Sequence, residues 1–119
     1  MKEEIEFSTL AGKTLKTIVV DADEAEIDFE TAEGEKFRLY HEPDCCEYVR
    51  VEEIIGDLAD LVGVPLLQAE EAYNSGDTSE GSQTWTFYKL ATIKGSVTLR
   101  WLGESNGYYS EDVSFIQVT

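Results

Sequence analysis

The chain is short of histidine, cysteine, proline and base. Among 119 residues it has one histidine, two cysteines, two prolines and nine lysines and arginines. Each scarcity excludes something. The two cysteines, Cys45 and Cys46, are adjacent and give no disulfide framework. With His41 as the only histidine, they fall short of the three or four spaced ligands that zinc takes. No run approaches the roughly 18 apolar residues of a membrane helix. The opening MKEEIEFSTL has neither the basic start nor the apolar stretch of a secretory signal. These absences point to a cytoplasmic protein with thiols kept reduced.

What the chain has in excess is acid. Twenty-five aspartates and glutamates against nine bases leave a net charge of −16. Such a chain is repelled by nucleic acid and by anionic membranes, and is drawn to basic protein surfaces. The charge is uneven: residues 1–35 and 36–80 each carry eleven acids and three bases, whereas residues 81–119 carry three of each. A hydrophobic content of 42% is enough for one core, so residues 1–119 read as a single domain. The polar stretch 74–83, NSGDTSEGSQ, reads as a flexible loop within it.

Alternation at period two on both sides of a glycine turn predicts a hairpin over residues 24–42. A three-residue loop, Ala32 to Gly34, pairs Phe29 with Phe37, Ile27 with Leu39 and Ala25 with His41 on the inner face. Glu30 then faces Lys36, and Asp28 faces Arg38, on the outer one. TLKTIVV, residues 14–20, reads as a preceding strand, and residues 66–73 lean to strand. In VEEIIGDLADLV, Val51, Ile54, Ile55, Leu58, Leu61 and Val62 follow helical spacing, which predicts an amphipathic helix. In the last third, a turn at Lys94-Gly95 pairs Leu90 with Leu99 and sets Lys89 opposite Arg100. A longer loop over residues 104–110 brings Val113 to Trp101 and Phe115 to Leu99. The expected fold is α+β, a mainly antiparallel sheet of hairpins covered by one helix.

Three readings of chemistry follow. HEPDCCEYV, residues 41–49, offers His41, Cys45 and Cys46 as metal ligands, a redox pair or a nucleophile with its base. Neighbouring cysteines cannot both reach one ion without strain, and no second cluster completes a set. A packed corner is the preferred reading, with no metal and no cofactor. The second reading is a site for a small anion or nucleotide, with Lys89 and Arg100 as cations and Trp85 and Phe87 as stacking platforms. In the third, Glu24, Glu26, Asp28 and Glu30 form an acidic strand edge that meets a basic protein surface, and Tyr108 and Tyr109 anchor it.

HEPDCCEYVRVEEIIGDLADLVG, followed by TWTFYKLATIKGSVTLRWLGESNGYYS, resembles a family of small bacteriophage and prophage proteins classed as a domain of unknown function. The likeness runs from about residue 24 onward and carries no known activity or site. It implies a phage setting, hence the cytosol of a host cell, and an interaction role. The expected function is therefore a non-enzymatic acidic inhibitor of a host defence or nucleic-acid-handling protein.

Overall fold

The predicted hairpin forms with its predicted register. In the computed structural model, which describes residues 4–42, 47–78, 81–105 and 111–119, β2 (Glu26–Thr31) runs antiparallel to β3 (Lys36–Tyr40). Phe29 faces Phe37, Ile27 faces Leu39, Asp28 faces Arg38 and Glu30 faces Lys36. Gly34 takes a φ of +92° in the turn, a conformation that side chains with a Cβ resist. β1 (Leu15–Val20) adds to the free side of β2, and β8 (Ser114–Gln117) to that of β3.

A second sheet has the order β4 (Tyr48–Ile55), β7 (Gly95–Ser105), β6 (Gly81–Thr92) and β5 (Gln68–Thr78), again antiparallel throughout. The inner faces of the two sheets share one core, with Ile27, Phe29, Phe37, Leu39 and Phe115 from the first and Val51, Tyr88, Leu90, Leu99 and Trp101 from the second. Phe7, on a 3-10 turn over Phe7–Leu10, joins the two. Its ring centroid lies 6.2 Å from Phe29, 5.1 Å from Phe115 and 4.7 Å from Tyr88. Each such buried side chain contributes roughly 1.5–3 kcal/mol by leaving water.

The fold is thus mainly β, and the α+β expectation is wrong. The predicted helix is β4 followed by a short 3-10 turn, Leu58–Leu61. A bulge between Val51 and Glu53 shifts the inward phase by one residue, so that Val49, Val51 and Ile54 all face the core. That displaced alternation imitates helical spacing. Gly56 then ends the strand at a φ of +116°, where an added Cβ would lie 2.6 Å from the Ser96 carbonyl oxygen. No L side chain fits there.

Three further expectations fail in consequence or alongside. β4 occupies the side of β7 that was assigned to the C-terminal strand, so Phe115 pairs with Leu39 on β3 instead of with Leu99. The β6–β7 turn is Ile93-Lys94, which pairs Leu90 with Val97 and Lys89 with Thr98. Lys89 is therefore not opposite Arg100, whose partner is Phe87. Gly95 belongs to the strand, where an added Cβ would meet Asp60 Oδ2 at 2.8 Å; it serves close packing, not the turn. Within the polar stretch 74–83, residues 74–78 and 81–83 are strand as well, with β5 and β6 paired as far as Thr78 and Gly81.

Candidate functional site

The β2–β3 ladder stops at Glu26 and Tyr40, one step before the predicted pairing of Ala25 with His41. Ala25 has turned away, donating its N–H to Asp21 Oδ1 at 2.8 Å. His41 is not packed on an apolar face but held by polar groups. Its Nδ1 lies 2.7 Å from the Asp112 carbonyl oxygen, and its Nε2 lies 2.9 Å from Glu47 Oε1. The imidazole is only 9% exposed and the Glu47 side chain is fully covered. A carbonyl only accepts, so Nδ1 is the donor there. With both nitrogens engaged, no lone pair faces outward, and a metal would have to displace one of these bonds. The ring ties the end of β3 to the segments entering β4 and β8. Cys45 and Cys46 lie outside the described residues. Among the described residues, no three or more histidine, cysteine, aspartate and glutamate side chains converge as metal ligands would.

A second polar cluster was not legible in the sequence. Glu111 is 6% exposed and receives hydrogen bonds from three hydroxyls: Thr84 at 2.7 Å, Ser105 at 2.5 Å and Ser82. Burial pushes its carboxyl upward, but the hydroxyls of Ser105, Ser82 and Thr84 outweigh it and hold the group below the ordinary glutamate value. Gly103 makes the space. A Cβ there would stand 2.8 Å from Glu111 Cβ and 2.9 Å from its carbonyl oxygen. Ser82 and Ser105 face each other across β6 and β7, and the only sequence signal for them is a small polar residue at every second position.

The acidic stripe is present but altered in meaning. β2 lies between β1 and β3, so Glu26, Asp28 and Glu30 run up the middle of a sheet face, not along a strand edge. Arg38 Nε lies 2.8 Å from Asp28 and 3.3 Å from Glu26. Burial, and then Asp28, raise the Glu26 carboxyl despite Arg38. Glu24 sits in the turn before β2 with a φ of 58°, and its carbonyl accepts the Val51 N–H at 2.7 Å, linking the two sheets. Tyr108 and Tyr109 lie outside the described residues.

Trp85, Phe87, Lys89 and Arg100 share the outer face of the second sheet, as expected from their phase. Their electrostatics differ from those of an anion site. The Arg100 guanidinium lies 4.9 Å from the Trp85 ring centroid and pairs with Glu53 at 2.8 Å. Arg50 similarly covers Tyr48 at 4.5 Å and pairs with Glu52 and Glu104 at 3.0 and 3.2 Å. All three arginines of the chain are engaged by its own carboxylates.

A groove of about 550 Å³ opens between β5 and the N-terminal segment, lined by Glu4, Glu6, Glu70 and Glu71 around Ile5, Phe7 and Phe115. A recess of about 290 Å³ continues from it past Glu71, Tyr73 and Thr86. Across the ladder from Glu71 stands Tyr88, fully buried, with a hydroxyl that makes no hydrogen bond of good geometry. Burial first, and then the charge of Glu71, hold that phenol far above its ordinary range.

Searches of curated proteins and of solved structures return no significant match. No helix of the described residues is long and apolar enough to cross a membrane. A family pattern does match, over residues 8–115, which takes in both sheets, His41, Glu111 and the β5 side of the groove. On that match, the chain belongs to the family described as a domain of unknown function, DUF7448.

Proposed function

We propose that this is a non-enzymatic binding protein whose target is a basic protein surface, acting as an acidic inhibitor of a host defence or nucleic-acid-handling protein in a phage setting. One observation carries the reading: Arg38, Arg50 and Arg100 are each paired with carboxylates of the same chain. The net charge of −16 therefore stands over a surface with no free arginine. Glu24, Glu33, Glu42, Glu52, Asp57 and Glu70 are all exposed. Such a field speeds encounter with positive grooves. The alternative, an anionic ligand on Lys89 and Arg100, loses support because Glu53 occupies the guanidinium.

The test is kinetic. Association with a panel of purified DNA-binding and nuclease proteins is followed at several salt concentrations, with duplex DNA as competitor. The reading expects at least one partner that DNA displaces, and an association rate that falls steeply with salt. Changing Glu24, Glu26, Asp28 and Glu30 together to the corresponding amides should slow association, although Arg38 blunts the effect. Absence of any DNA-competitive partner, or rates indifferent to both salt and the fourfold change, overturns it.

A further inference from the structure

β5 is an edge strand whose outer side is open. One side pairs with β6, and no strand among the described residues pairs with the other. Residues 70–74 are all exposed, although a strand in a two-sheet fold ordinarily covers every second residue. Glu71 faces Tyr88 and Tyr73 faces Thr86 across the ladder. Both therefore share the inward phase of two buried residues, yet Tyr73 is 75% exposed. The first sheet does not reach far enough to cover them. An uncovered edge with an apolar inward residue is a template for another strand.

The chemistry around this edge favours one occupant. Glu4, Glu6, Glu70 and Glu71 line the groove, and none of them has an ion pair among the described residues. Beside Glu71, the Tyr88 hydroxyl is buried with no hydrogen bond of good geometry. Glu71, its cross-strand partner, acts on it together with Glu4 and Asp112, and all three of these acids line the recess. A buried hydroxyl without a hydrogen bond is a cost that a donor from outside would relieve. A lysine or arginine side chain supplies that donor together with the charge that Glu4 and Glu71 call for.

We propose that β5 and its groove receive an extended basic segment of a partner polypeptide. The segment adds as a strand along residues 70–74, and one inward lysine or arginine passes between Glu4 and Glu71 to the Tyr88 hydroxyl. Tyr73 packs against the segment as its apolar anchor. The exposed Glu71 side chain turns toward the cation and uncovers the phenol. This deepens the reading of a basic protein target by naming where on this chain the target docks.

The probe is a synthetic peptide that alternates lysine with valine and threonine, added to the full chain and followed by amide NMR near physiological ionic strength. Shift changes should centre on residues 4–7 and 70–74, and the β5 amides should gain protection from exchange. Glu71→Gln combined with Glu4→Gln should weaken binding about tenfold or more. Tyr88→Phe should weaken it several-fold while leaving Tm unchanged or raised, a combination that a merely structural tyrosine would not give. Shifts scattered over the acidic surface, equal affinity for free spermidine, or affinity indifferent to all three substitutions would each overturn the proposal. A protein partner that binds but ignores these substitutions sinks the docking site alone. A peptide that docks on β5 while no basic protein associates sinks the wider functional reading alone.

Discussion

Glu111→Gln isolates the buried carboxylate while keeping its shape. The wild-type group accepts from Ser82, Thr84 and Ser105. Hydrogen bonds to a charged group contribute about 1.5–3 kcal/mol and neutral ones about 0.5–1.5, so neutralising the acceptor loses on the order of 1 kcal/mol for each bond. Turning one oxygen into an amide nitrogen also sets a donor against hydroxyls that were donating. Against this, the amide no longer has to be desolvated as an ion, and the net loss is about 2 kcal/mol. For a domain of this size that lowers Tm by roughly 6–10 °C. The pH dependence has a definite sign. The folded-state value lies below the ordinary one, so the contribution is present above the unfolded glutamate value of about 4.3 and is lost as pH falls through the folded value. Urea titrations of both proteins should show the full gap at neutral pH and a closing gap as the buffer is acidified below about 4.3. Taking the difference cancels the other carboxylates. A gap that stays constant with pH, or no gap at neutral pH, would refute the claim that three hydroxyls stabilise an ionised Glu111.

Gly56→Ala should cost roughly 2 kcal/mol or more in urea unfolding, because the new Cβ meets the Ser96 carbonyl oxygen at 2.6 Å; an unchanged midpoint would mean the strand end can relax. Trp101→Phe should cost under about 2 kcal/mol, since the buried indole N–H has no partner to lose, whereas Phe29→Ala should cost about 3–5 kcal/mol. Spectrophotometric titration should find that one of the six tyrosines fails to ionise until the chain unfolds, and that Tyr88→Phe removes that late step. Calorimetry with ATP should detect no binding, because Glu53 holds Arg100; binding that vanishes in Arg100→Ala would restore the anion site.

The β2–β3 hairpin was legible because two independent patterns had to agree. The apolar pairs Phe29–Phe37 and Ile27–Leu39 and the charged pair Asp28–Arg38 select the same register, and Gly34 supplies the turn locally. Residues 48–62 gave conflicting signals, and periodicity was the wrong one to follow. A bulge turns the inward spacing from two to three between Val51 and Ile54, and the 3-10 turn then brings Leu61 into the core. Together these imitate the stripe of a helix. The composition argued otherwise: Val51, Ile54 and Ile55 are β-branched, and Gly56 follows at once. That single error propagated, because a strand assigned to a helix leaves the flank of β7 vacant, and Phe115 was drawn there. The Glu111 cluster was out of reach for a different reason. The hydroxyls around Glu111 come from positions 82, 84 and 105, which converge only after β6 and β7 pair in the right register. The β5 groove is harder still to foresee. Alternation tells which residues point inward, but not whether the opposing sheet extends far enough to meet them. Glu71 and Tyr73 point inward and meet solvent, so the feature that invites a partner strand arises from the unequal reach of two sheets, each regular in itself.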